Sequence, residues 1–151
     1  MGMAITLRAP EERDRGSWES LFAAYFAFYK TEIPDDCFDT VWSWIHDEQN
    51  PFWATLAQNG AGDIAGFVHY QLWHNSMGAG MSVYMADLFV DPAERGSGTG
   101  RALIDHVRAF ARERGISSVD WLTQDFNYPG RRLYDTYAKK TDFVFYSVPS
   151  R

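Results

Sequence analysis

The stretch "MSVYMADLFVDPAERGSGTGRALIDHV" constrains this chain more than any other. A β-branched and aromatic run from Met81 to Val90 reads as a strand. A turn with Gly96, Gly98 and Gly100 follows, then a helical pattern from about Thr99 to Arg114. Leu103, Ile104, Val107, Phe110 and Ala111 form one apolar stripe, while Arg101, Asp105, Arg108 and Arg112 face away from it. Gly115 suits a helix C-terminal cap. Such a helix must bury its stripe against another layer. The glycine turn also has chemical meaning. The first N–H groups of a helix lack intrahelical partners, and the dipole adds positive charge there. A strand, a glycine turn and a helix N-terminus therefore make an anion site, although an ordinary Gly-rich turn has the same look. Two phosphate patterns fail. For G-x-G-x-x-G, the sixth position is Arg101 counted from Gly96 and Leu103 counted from Gly98. For G-x-x-x-x-G-K-[ST], no Lys-Ser or Lys-Thr pair follows.

The rest of the chain supplies the layers. "MAITLRAP" reads as a first strand ended by Pro10. A helix is expected from about Glu12 to Lys30, with Leu21, Ala24, Tyr25 and Phe28 on one face. A shorter one follows in "DDCFDTVWSWIHD", with Phe38, Val41, Trp42 and Ile45 together. "FWATLAQ", the turn "NGAGD" and "IAGFVHYQLWH" form a hairpin signal. After the glycine loop and its helix come a strand in "SSVDWLTQ", a helix opened by Asn127 and Pro129, and a closing strand in "DFVFYSV". The order β-α-α-β-β-β-α-β-α-β describes one domain over residues 1–151, α/β of the α+β type with a mixed sheet, and not a doubly wound dinucleotide fold.

Composition narrows the partners. A formal net charge of -6 argues against nucleic acid, whose backbone needs a basic surface, and is compatible with a cationic acceptor. Cys37 is the single cysteine, which excludes an intramolecular disulfide and points to a reducing, cytoplasmic setting. No run is apolar and long enough for a membrane helix. "MGMAIT" fits the loose N-myristoylation pattern through Gly2 and Thr6, but Met3 to Leu7 reads more simply as strand. No His, Cys or carboxylate set has metal-ligand spacing, so no metal is expected.

Two motifs together carry a resemblance. Arg95, Gly98 and Gly100 satisfy R-x-x-G-x-G, and Asn127, Gly130, Leu133 and Tyr134 follow in the later helix. In this order they resemble motifs A and B of the GCN5-related N-acetyltransferase (GNAT) superfamily, from about Ile5 to Val148. Gly130 stands where alanine is usual. The block from Asp120 to Val148 looks closest to the Hpa2-type acetyltransferase branch.

The resemblance implies a mixed, mostly antiparallel sheet of six to seven strands flanked by about four helices. It also implies a V-shaped splay between the strands at 82–90 and 117–124. Acetyl-CoA would enter there as co-substrate. Leu88, Phe89 and Val90 would run along its pantetheine arm. Gly96, Ser97, Gly98, Thr99, Gly100 and Arg101 would hold its pyrophosphate, and Asn127 and Tyr134 belong to the same site. Arg95 would hold the loop or aid the phosphates, with Arg131 and Arg132 within reach of the 3′-phosphate. Tyr134 stands where the family donates a proton to the leaving thiolate, at free pKa values of about 10 and 8.5 for the two groups. A backbone N–H near Leu88 would receive the oxyanion.

Asp87 is the candidate base, and it joins Tyr29 and Tyr84 as candidate acceptor-binding residues. Ala86 precedes it where related polyamine enzymes often carry a second acid, which puts a polyamine in doubt. His69 and His74, with Tyr84 on a neighbouring strand, are positioned to face the acceptor, but each reads first as a structural residue. The helices supply Tyr25, Phe26, Trp42 and Trp44, with Trp73 nearby and acids Glu32, Asp35 and Asp36 at the turn. That surround suits a cationic amine as well as it suits helix packing. The implied activity is acetyl transfer by direct attack onto a small molecule's primary amine (amine, polyamine or amino acid). Protein lysine acetylation and non-catalytic acyl-CoA binding are the alternatives. A homodimer is compatible with the aromatic surplus.

Overall fold

A computed structural model describes residues 4–151. The Met3 start of the first strand and the Gly2 position of the myristoylation pattern lie outside these residues.

The "NGAGD" turn makes the central hairpin. The Asn59 side chain accepts from the backbone N–H groups of Ala61 and Asp63, both at 3.0 Å. This closes β2 (Phe52–Gln58) onto β3 (Ile64–Asn75). A second turn folds β4 (Gly80–Val90) back along almost the full length of β3, from Asn75 opposite Gly80 to Gly66 opposite Val90. β1 (Thr6–Arg8) adds antiparallel to β2, and β5 (Val119–Asp120) adds parallel to β4. The sheet is therefore mixed and five-stranded, in the order β1-β2-β3-β4-β5.

Alternation along β3 feeds two cores. Phe67 points to the face covered by α1 (Arg15–Phe28) and α2 (Cys37–His46), where it packs with Trp18, Phe22, Trp42 and Phe89. Val68 and Tyr70 point to the opposite face, where α3 (Thr99–Glu113) buries the stripe read from sequence, Leu103, Ile104, Val107, Phe110 and Ala111. α4 (Tyr128–Tyr134) follows β5. The pair Arg8–Asp14, with contacts of 2.6 and 2.8 Å, ties β1 to the 3-10 turn Glu12–Asp14 that opens α1.

Three expectations change. The first helix is Arg15–Phe28 behind a 3-10 turn, not a continuous helix from Glu12 to Lys30. "SSVDWLTQ" pairs only at Val119 and Asp120, so most of it is not strand. "DFVFYSV", expected as a closing strand, has no strand partner among the described residues. Phe143, Val144, Phe145, Tyr146 and Val148 are all exposed. Among the described residues five strands pair where six to seven were expected, and four α-helices form, as expected.

Candidate active site

A β-bulge sets the site. Across the β3–β4 ladder His69 faces Asp87 and the next residue, Tyr70, faces Met85, so Ala86 is the extra residue. The bulge breaks the period of two. Met85 stays in the α3-side core, while Asp87, two residues on, shares the opposite face with His69. Asp87 is thereby delivered to the α1–α2 side, next to a pocket of about 500 Å³ that it lines with Ala86, Trp44, Asn50, Phe52 and Gln71.

The following residues line a second, larger space. A cleft of about 650 Å³ is bounded by Leu88, Phe89 and Val90, by the glycine loop and by α4. The β4–β5 pairing stops at Tyr84 and Asp120, while β4 continues to Val90. One strand thus borders two cavities at adjacent residues, Asp87 on one and Leu88 on the other.

The loop is built by its glycines. Gly96 and Gly98 have φ of +83° and +87°, a region that side chains rarely adopt. Gly98 is the residue preceding α3, so the first helical N–H groups open beside the cleft. Gly96, Gly98, Thr99, Gly100 and Arg101 line it. Ser97 does not; its hydroxyl contacts Glu94 O and lies 2.8 Å from Thr99 Oγ1. Arg95 lines the cleft and also holds the loop, donating from Nε to the Val90 carbonyl at 3.3 Å and lying over Phe28 and Phe89. Arg131 is turned to Asp125, whereas Arg132 lines the cleft. A dipole-headed cradle lined by Arg95, Arg101 and Arg132 fits a polyphosphate. The apolar run Leu88–Val90 fits a slender arm.

Across the cleft α4 presents Tyr134. Its N-cap Asn127 is buried, accepts from Gly130 N at 3.3 Å and donates to Thr123 Oγ1 at 2.9 Å. An alanine at 130 would bring its Cβ to 2.5 Å from Asn127 Nδ2, so Gly130 and this capping geometry go together. Burial, reinforced by Tyr29, pushes the Tyr134 phenol up to about 12. Tyr29 lines the same cleft. Burial first, then the Asp87 carboxylate, raises the Tyr25 phenol, and Tyr29 and Tyr134 add to that rise. Tyr25 packs edge-on against Tyr29, with ring centroids 4.9 Å apart. Tyr84 is raised by burial and then by Asp87, and stacks on Trp73 with centroids 4.5 Å apart.

Other candidates separate. His69 is completely buried, with Nδ1 2.9 Å from Asp87 Oδ2 and Nε2 3.0 Å from Trp18 Nε1. It contacts the acid rather than the pocket. His74 is exposed. Trp42 packs in the core, Trp44 lines the smaller pocket, and Glu32, Asp35 and Asp36 are exposed. Sequence reasoning missed Trp18, Asn50, Phe52 and Gln71. Trp18 lies on the helix face four residues before Phe22, a spacing that was the available signal for a buried tryptophan. Among the described residues no group of three or more His, Cys, Asp or Glu side chains converges as a metal site. No helix among them is long and apolar enough to cross a membrane.

Known proteins share this fold. The solved structure of a ribosomal-protein-alanine N-acetyltransferase from Brucella melitensis has a TM-score of 0.78 at 22% identity, covering 97% of this chain and 99% of that one. Aminoglycoside N-acetyltransferase AAC(6')-Iy in complex with CoA gives 0.83 at 17% identity, over 100% and 98%. These likenesses establish the fold. In sequence, D-amino-acid N-acetyltransferase HPA3 of Saccharomyces cerevisiae is 36% identical over 143 residues, covering 94% of this chain and 89% of its own. Streptothricin acetyltransferase of Streptomyces lavendulae is 34% identical over 98 residues, 63% of this chain and 46% of its own. The model of the acetyltransferase (GNAT) family matches residues 18–137, well over half of the chain. The chain belongs to the GNAT acetyltransferase family, and within it is similar to the Hpa2 type.

Proposed function

We propose that residues 1–151 form a single domain that transfers acetyl from acetyl-CoA, the co-substrate the family implies, directly onto the primary amine of a small molecule. One observation carries this reading. Asp87 and Leu88, adjacent on β4, border the smaller pocket and the larger cleft respectively, and Tyr134 lines the larger. A carboxylate for the amine and a phenol for the thiolate therefore flank one stretch of strand.

The parting of β4 from the 117–124 segment beyond Tyr84 admits the pantetheine arm along Leu88, Phe89 and Val90. The N–H groups from Gly96 to Arg101 face the pyrophosphate, and Arg132 is the arginine for the 3′-phosphate. The amine enters on the Asp87 side among Trp44, Phe52 and Gln71, and gives a proton to that carboxylate. As its lone pair forms the C–N bond, the backbone N–H of Leu88 donates to the developing oxyanion. When the C–S bond breaks, Tyr134 protonates the sulfur. The second proton of the attacking nitrogen makes good the phenol through solvent, and Asp87 releases its proton to solvent to complete the turnover. Tyr25 and Tyr84 stand beside the acid, and Tyr29 lines the cleft next to Tyr134.

The relatives are named for D-amino acids, streptothricin and thialysine, all small amine acceptors. Asp87 is the charged side chain lining the smaller pocket, which favours a cationic amine, and the Asn50 and Gln71 amides are suited to a second polar group. The test is release of free thiol from acetyl-CoA across amines, amino acids, polyamines and basic peptides. Turnover with a small amine supports the reading. Preference for a peptide would mark a protein acetyltransferase, and tight acetyl-CoA binding without turnover would mark a non-catalytic module. The exposed apolar segment 143–148 favours a homodimer.

A further inference from the structure

His69 has no exposed surface, yet both of its ring nitrogens are engaged. The Trp18 indole N–H lies 3.0 Å from Nε2, and an indole can only donate. Nε2 must therefore offer its lone pair. The ring proton of the neutral imidazole then sits on Nδ1, 2.9 Å from Asp87 Oδ2, and donates to that carboxylate. An imidazolium would set an N–H on Nε2 against the indole N–H, two donors facing each other in a dry core. The rest of the ring environment is aromatic. Phe22 of α1, Phe52 of β2 and Phe67 of β3 lie at centroid distances of 4.9, 5.5 and 4.8 Å.

We propose that Trp18 and His69 are positioning residues for Asp87: Trp18 reserves Nε2, so that His69 meets the carboxylate as a neutral hydrogen-bond donor and not as a cation. This rests on the reading of Asp87 as the group that receives the amine's proton. The consequence is electrostatic. A neutral donor fixes one carboxylate oxygen and leaves its negative charge for the incoming ammonium, whereas an imidazolium would cancel that charge before the amine arrived. The other titratable groups facing Asp87 are Tyr25 from α1, Cys37 from α2 and Tyr84 from β4 itself. Burial raises all three, and the Asp87 charge raises them further, which keeps them neutral. Asp87 is thus surrounded by neutral groups, and the His69 tautomer completes the set.

Ring nitrogen NMR on histidine-labelled protein tests this, with His69→Gln assigning the resonance. The expected result is one neutral His69 tautomer, protonated on Nδ1 and bare on Nε2. A proton on Nε2, alone or as imidazolium, at the pH of the activity assay overturns the proposal. Trp18→Phe removes the indole donor. Nε2 is then free to carry a ring proton, and the acid limb of kcat/KM for the amine is expected to move. Acetyl-CoA affinity should stay unchanged. A Trp18→Phe profile identical to that of the parent enzyme, in a folded protein, overturns the electrostatic role. Should that variant fail to fold, the NMR of the unsubstituted enzyme decides. Asp87→Asn separates the two readings. Undiminished turnover would remove Asp87 as the base and leave the His69 tautomer result standing.

Discussion

Tyr134 shows how burial alters a role that a motif suggests. From free-group values, phenol and thiol differ by little, and proton transfer to the thiolate is nearly balanced. With the phenol pushed to about 12, the same transfer to a solvated thiolate would be uphill by roughly 5 kcal/mol. The gap narrows only if the leaving sulfur shares the dry cleft, because burial raises a thiol as it raises a phenol. The proton should therefore move as the C–S bond breaks. Tyr134→Phe is expected to lower kcat by about 10²- to 10⁴-fold while acetyl-CoA affinity, measured by calorimetry, stays within about twofold. Full retained turnover would remove Tyr134 as the donor. A raised phenol also has a sign in the pH profile. Its proton is kept through neutral and mildly alkaline pH, so kcat should rise as the amine loses its proton and show no phenol-linked fall before about pH 12. A decline centred near pH 10 that disappears in Tyr134→Phe would contradict this. Tyr134 and Asp87 were legible as candidates because motif spacing is local. The Trp18–His69 contact was not, since it joins residues 51 apart.

At the scale of elements, the glycine loop and α3 were readable because their signals are short-range: conformational freedom at Gly96 and Gly98, then an apolar stripe of helical period. The bulge at Ala86 was not readable. A period of two assigns Met85 and Asp87 to one face, and only pairing with His69 and Tyr70 separates them. The loop's energetics give a clear prediction. Gly98 holds φ of +87° just before α3, with open space where a Cβ would stand. Gly98→Ala should therefore act through backbone conformation and not through a clash, at about 1–2 kcal/mol. The strained loop would relax away from the cleft. A rise of roughly tenfold in the KM for acetyl-CoA is expected, with the amine KM near that of the parent enzyme. Equal changes in both constants would mean that the loop does not act on the cleft alone.

The whole molecule returns to the segment that did not become a strand. Its aromatic, β-branched run reads as a strand in the sequence, but a strand exists only with a partner, and a partner is not a local property of sequence. β5 ends the sheet with two paired residues, and Phe143, Val144, Phe145, Tyr146 and Val148 lie exposed. Apolar surface in water costs about 25 cal/mol per Å², so five such side chains within six positions favour burial against something. A second copy supplies two matching segments by symmetry, which is why the homodimer is the occupant that needs no further component. Neither core cluster includes a residue beyond Tyr137, so the segment can be removed without opening the core. Sedimentation of the full chain is expected to show a dimer, and the chain ending at Asp142 a folded monomer that still binds acetyl-CoA. A full chain that sediments as monomer at every concentration would refute the dimer. A truncated chain that remains dimeric would move the interface to another face, and the exposed segment would then have to be covered by the protein itself.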